Sequence, residues 1–190
     1  NAATTLHYVF NDQILKDGEM LLIDCGAEFN YFTGDITRSY PVNGKFTTRQ
    51  RAVYDAVLRV MKAAKKLLVP GSNLVDYQKE VGNHMEQELL SLGLITQEDI
   101  KKQDPEWPAY KKYFMHGTSH HLGLDVHDLM DRYATFQLGM VFTVEPGIYI
   151  TDEGFGIRLE NDVWITENGV LDLMANIPLE ADEIEDWMNG

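Results

Sequence analysis

The sequence has almost no cysteine, too little positive charge and no long apolar run, and each scarcity excludes a class of protein. With one cysteine, Cys25, no internal disulfide can form, which rules out a disulfide-stapled secreted scaffold and makes the reducing cytoplasm the expected location. The apolar neighbours of Cys25 predict a packed thiol. Only 16 lysines and arginines stand against 30 aspartates and glutamates, and the resulting charge of −14 would repel a phosphate backbone, so no nucleic acid is expected as a partner. No stretch approaches the roughly 20 apolar residues that cross a bilayer, so no membrane association is expected, and no signal peptide is visible. Nucleophilic hydrolases are also poorly represented: Ser119 lacks the G-x-S-x-G elbow, and no motif places a histidine beside Cys25.

What is present is a chain with 44% hydrophobic residues, enough to build a substantial core. No repeat, low-complexity run or linker divides it, so one domain over residues 1–190 is expected. Residues 6–10 (LHYVF) and 20–25 (MLLIDC) read as strands, separated by the Lys16-Asp17-Gly18 turn. The stretch AEFNYFTGDITRSYPVNG mixes aromatics, threonines and turn residues, which predicts a β-meander ending at Pro41 and Asn43-Gly44. Helical spacing of Val53, Ala56, Val57, Val60 and Ala64 predicts an amphipathic helix over residues 47–69, stopped by Pro70-Gly71. A second helix, capped by Ser72 or Asn73, runs to about Leu92, and a third covers residues 96–102. Short extended runs at 141–144, 147–150, 156–159 and 163–166 follow, before the Asn168-Gly169 turn. Strand-rich ends around a helical middle make the fold class α+β.

Several polar residues stand where chemistry is more natural than packing. Asp24 lies inside an apolar strand, where an unpaired carboxylate costs several kcal/mol; a turn carboxylate beside Gly26 accounts for it equally well. Asp35, eleven residues on, starts another strand, and a hairpin would bring it beside Asp24; pairing with Arg38 is the alternative. The segment MHGTSHHLGLDVHD spends four of the six histidines on the twelve positions from His116 to His127. Imidazoles at this density serve as metal ligands or proton-transfer groups, with His121 the one best read as a surface residue. His116 and His120 are spaced i, i+4, but Gly117-Thr118-Ser119 lacks the glutamate of a helical zinc motif and is a poor helix. Glu145 and Glu160 each end an extended run. Together Asp24, Asp35, His120, Glu145 and Glu160 form a mixed oxygen and nitrogen set suited to a pair of divalent ions, and two such ions side by side activate water for hydrolysis. Arg158, two residues before Glu160, is placed to orient these carboxylates.

The motifs HGTSHHLGLDVHD, TVEPGIYI and GIRLEND and the ending IPLEADEIEDWM, with the order D…D…H…E…E, resemble the pita-bread metallopeptidases and, within them, bacterial-type aminopeptidase P. The resemblance runs the length of the chain. It implies the pita-bread form of an α+β fold, here the C-terminal catalytic part of a longer protein without the family's N-terminal helical segment and first strand. It implies hydrolysis of the Xaa-Pro bond at a peptide's N-terminus by a metal-bridging hydroxide, with prolidase activity on Xaa-Pro dipeptides or a non-catalytic binding role as the alternatives. Asp24 would bind one metal and His120 the other, with Asp35 and Glu160 bridging, and Glu145 would be a ligand that also relays protons. His127 and His116 would act in catalysis and, with His7 and Tyr149, contact the substrate. The family's preferred cofactor is a pair of Mn²⁺ ions, with Co²⁺ and Zn²⁺ accepting the same ligands. The full-length protein would be a homo-oligomer acting on proline-containing peptides.

Overall fold

Apolar residues at helical spacing shape the two long helices. In the computed structural model, which describes residues 2–5 and 7–190, α1 spans Thr48–Leu67 and α2 spans Leu74–Ser91. Thr47 caps α1 through a reciprocal pair of bonds with Gln50, and the Asn73 side chain caps α2 by accepting from Val75 and Asp76. The buried stripe of α1, including Val53, Val57, Met61 and Ala64, packs against Tyr77, Val81 and Met85 of α2 and against the strands. The short α3, Gln97–Lys102, starts on a Thr96/Asp99 capping box, and α4, Ala181–Asn189, starts on one formed by Glu180 and Glu183.

Among the described residues nine short antiparallel strands complete the fold. β1 (Met20–Cys25) pairs with β4 (Ile36–Pro41), with Asp24 opposite Thr37. Between them β2 (Glu28–Phe29) and β3 (Phe32–Thr33) form their own hairpin, so the region is not the simple meander expected. The physical reason lies at the hairpin's base, where the chain crosses itself. A Cβ on Gly26 would fall 1.8 Å from the Gly34 carbonyl oxygen, and the Gly34 N–H donates to Ala27 O at 2.8 Å. Farther on come β5 (Val141–Val144), β6 (Gly147–Ile150), β7 (Phe155–Arg158), β8 (Asn161–Thr166) and β9 (Gly169–Asp172). They form a three-stranded sheet in the order β5-β8-β9 and a β6-β7 hairpin.

Two expectations fail at the start of the chain. Leu6 lies outside the described residues, and His7 to Phe10 form no strand; Val9 and Phe10 are exposed. Among the described residues β1 is paired along one edge only, so a strand there has no partner to complete its backbone bonds. For the same reason burial falls along β1, from Met20 to exposed Ile23, Asp24 and Cys25, and the thiol is not packed.

Arg38 does not pair with Asp35. Its buried guanidinium instead clamps β4 to the segment around residue 160: Nε donates to Pro178 O, Nη1 to the carbonyls of Thr37 and Glu160, and Nη2 to Asn161 Oδ1. Removing one donor group from four buried acceptors is costly, since each unsatisfied group forfeits about 1 to 3 kcal/mol. Arg38→Met is therefore expected to destabilise the protein by at least about 3 kcal/mol, read as a lower midpoint in urea unfolding with an unchanged slope.

Candidate metal centre

The residues singled out in the sequence reach one place because each stands at the end of an extended element. Asp24 is near the end of β1, Asp35 immediately precedes β4, Glu145 immediately follows β5, and Glu160 lies between β7 and β8. His120 is delivered by residues 118–122, which lie along the free edge of β5. Glu145 N–H donates to Thr118 O, Thr143 N–H to His120 O, and Leu122 N–H to Val141 O. This register sets His120 Nε2 3.5 Å from Glu145 Oε1 and 3.7 Å from Asp35 Oδ2. Ligand atoms of Asp35, His120 and Glu160 all lie within 4.8 Å of one another. Asp24, Asp35, His120 and Glu145 line a cleft of about 290 Å³ together with His7, His116, His127 and Arg158. A larger recess of about 560 Å³ beside α4 lies away from all of them. Three of its four carboxylates are already engaged: Asp172 with Lys65, Glu180 with Lys62, and Glu183 with the N–H groups of Leu179 and Glu180.

The electrostatics are those of a site short of positive charge. Burial, reinforced by repulsion from Glu160, pushes Glu145 up to about 8, and burial with repulsion from Asp35 lifts Glu160 to about 8. Asp24 is raised by burial against the pull of Arg158, whereas for Asp35 the hydrogen bonds from His120 and Asp24 outweigh burial and lower it. One oxygen of Glu160 accepts from Thr37 Oγ1 at 2.6 Å, while the other, Oε1, is buried with no hydrogen-bond partner among the described residues. An orphaned carboxylate oxygen beside three further acids and an imidazole is what a divalent cation would complete, so these residues fit a metal centre. Asp24 is placed differently from the tight trio: Arg158 Nη2 holds its Oδ2 at 2.6 Å.

Around this core a polarised hydrogen-bond chain can be followed atom by atom. Arg158 Nη1 donates to the Tyr149 hydroxyl at 2.8 Å. Tyr149 is 2.8 Å from His116 Nε2, and His116 Nδ1 is 2.8 Å from Gly117 O. A carbonyl can only accept, so Nδ1 carries the proton and Nε2 accepts from Tyr149. Burial keeps this ring neutral, lowering His116 to about 4. His127 stacks on His120, with ring centroids 3.9 Å apart, and its nitrogens make no hydrogen bond among the described residues. His121 is not the surface residue expected: its ring packs edge-on against Phe142.

Some contributors carried no visible signal. Thr37, which holds Glu160, is one of many threonines, and Gln78, which accepts from the N–H and hydroxyl of Thr118, sits on a helix more than 35 residues away in sequence. Asp162, inside β8, accepts the Asp35 N–H at 3.0 Å. An acid flanked by the apolar run of β8 was the one clue to it in the sequence.

The raised glutamates make metal-free protein pH-sensitive. A folded pKa of about 8 against an ordinary 4.5 means that the folded state binds more protons between those values, so stability falls as pH rises through that window. The thermal midpoint of metal-free protein is expected to drop between pH 5 and 8.5, and saturating Mn²⁺ to abolish the drop, because metal binding requires the ionised carboxylates.

Comparison with known proteins bears on the same residues. The chain is 43% identical to a Xaa-Pro aminopeptidase of Haemophilus influenzae over 98% of its own length and 46% of the relative's. It is 41% identical to human Xaa-Pro aminopeptidase 3 over 97% of its length and 38% of that protein's. It superposes with a TM-score of 0.90 on a zinc-substituted Escherichia coli aminopeptidase P in complex with product, at 40% identity, covering 98% of this chain and 45% of that one. The chain thus spans less than half the length of these relatives, and its fold is the pita-bread fold they share. The model of metallopeptidase family M24 matches residues 1–167, a span that contains all five candidate ligands, and the chain belongs to that family.

Proposed function

We propose that the complete protein is a two-metal aminopeptidase that hydrolyses the bond between a peptide's first residue and a following proline. The observation that carries this reading is the approach of ligand atoms of Asp35, His120 and Glu160 to within 4.8 Å of one another, beside a cleft that Asp24, Asp35, His120 and Glu145 line. The names of the similar proteins, Xaa-Pro aminopeptidases, support the substrate class. Asp24, Asp35, His120, Glu145 and Glu160 would hold two divalent ions, with manganese the proposed native metal. When bound, such ions supply Lewis acidity that polarises the scissile carbonyl and activates water.

The remaining steps belong to the protein's own side chains. Water adds to the carbonyl carbon, the carbon–nitrogen bond to proline breaks, and the proline nitrogen takes up a proton. Glu145 has an affinity for protons near neutrality and faces the cleft, so it accepts the proton from water and delivers it to that nitrogen. His127, whose nitrogens make no hydrogen bond among the described residues and whose ring stacks on His120, binds the reacting peptide group. His116 has both nitrogens engaged, so it acts as a neutral wall whose position is set by Tyr149 and Arg158, with His7 across the cleft. Arg158 keeps the Asp24 carboxylate turned towards the centre. Location in the cytoplasm and assembly into a homo-oligomer are part of the same proposal.

In the Mn²⁺-loaded complete protein, Xaa-Pro-Xaa-Xaa peptides are expected to release the first residue while Xaa-Pro dipeptides react far more slowly; the reverse order would indicate a prolidase. Glu145→Gln is expected to lower kcat by about 10²- to 10⁴-fold, the usual range for a lost proton-transfer group. Chromatography of the released amino acid measures both.

A further inference from the structure

Asp162 and Thr143 take no part in the reaction just described, yet both are buried, at 4% and 0% exposure. They face each other across the β5–β8 ladder. No lysine or arginine pairs with Asp162 among the described residues, and its Oδ1 has no hydrogen-bond partner there. A buried carboxylate so poorly compensated is unfavourable for folding, and its presence needs another reason.

That reason is in what the two side chains hold. Asp162 Oδ2 accepts the backbone N–H of Asp35 at 3.0 Å, and Thr143 Oγ1 accepts the backbone N–H of His120 at 3.2 Å. Asp35 and His120 come from distant parts of the chain, and their side chains meet with Oδ2 and Nε2 3.7 Å apart. Two neighbouring residues of a rigid ladder thus each hold the main chain of one of the two groups. A strand pair has a fixed spacing, so it can set the separation of what hangs from it. We propose that Thr143 and Asp162 are positioning residues, a cross-strand pair that sets the distance between Asp35 and His120 by accepting their backbone N–H groups. The inference rests on the reading of Asp35 and His120 as metal ligands.

Mn²⁺ binding to the complete protein, followed by calorimetry and by electron paramagnetic resonance, separates this role from a general structural one. Asp162→Ala and Thr143→Val remove the acceptors and are expected to weaken Mn²⁺ affinity about 10- to 100-fold, the range seen when groups supporting metal ligands are lost. They should also replace the spectrum of a coupled ion pair by that of isolated Mn²⁺. Asp162→Asn and Thr143→Ser keep an acceptor oxygen and should retain wild-type affinity within about threefold. Equal losses in Asp162→Asn and Asp162→Ala would overturn the proposal, because charge and not the hydrogen bond would then matter; so would unchanged affinity in Asp162→Ala. If Asp162→Ala does not fold, Asp162→Asn and the Thr143 pair decide. Wild-type protein that binds two ions while the variants match it contradicts only this inference, whereas wild-type protein that binds none overturns the metal reading as well.

Discussion

Mutual repulsion among Asp24, Asp35, Glu145 and Glu160 is the interaction on which the surrounding structure depends. Four carboxylates half-removed from water cannot all be ionised without positive charge nearby. Among the described residues that charge comes chiefly from the guanidinium of Arg158, which reaches Asp24, and from the imidazole of His120, which is drawn towards its charged form by Asp35 and Glu145 against the effect of burial. The imbalance keeps protons on Glu145 and Glu160 and leaves a Glu160 oxygen unsatisfied. Such an arrangement is unfavourable as a packed interior and reasonable as a cation receptor, which is why the same geometry reads as a site.

Holding repelling groups together requires a stiff frame, and the frame is made from backbone. Gly26 permits the chain crossing that brings the end of β1 and the start of β4 into contact, where any side chain on it would collide with the Gly34 carbonyl. The edge of β5 recruits residues 118–122, and Arg38 fastens β4 to the carbonyl of Glu160. Each of these side chains therefore hangs from backbone whose position is set by hydrogen bonds to neighbouring elements. Gly147 plays a related part, since a Cβ there would come 2.8 Å from the Tyr149 hydroxyl that joins Arg158 to His116.

Much of this was legible in the sequence, for identifiable reasons. The first three α-helices were readable to within two residues because their apolar spacing and their caps, Thr47, Asn73 and Thr96, are local signals. The candidate ligands stood out in the sequence because aspartate, glutamate and clustered histidine are costly without a task. Residues 7–10 and Cys25 misled because their apolar character says nothing about whether a partner strand lies alongside. β9 and α4 went unanticipated, one being a short hairpin return and the other an acidic segment with few apolar residues. Thr143, Thr37 and Gln78 stayed hidden because they act through hydrogen bonds made across the fold, which no spacing along the chain reveals.

The central claim is that these carboxylates and His120 exist to hold two cations. Anomalous scattering at the manganese edge from crystals of the complete, Mn²⁺-loaded protein tests it most directly. The account predicts two peaks, together contacted by Asp24, Asp35, His120, Glu145 and Glu160. An absence of anomalous density among these five residues would contradict it.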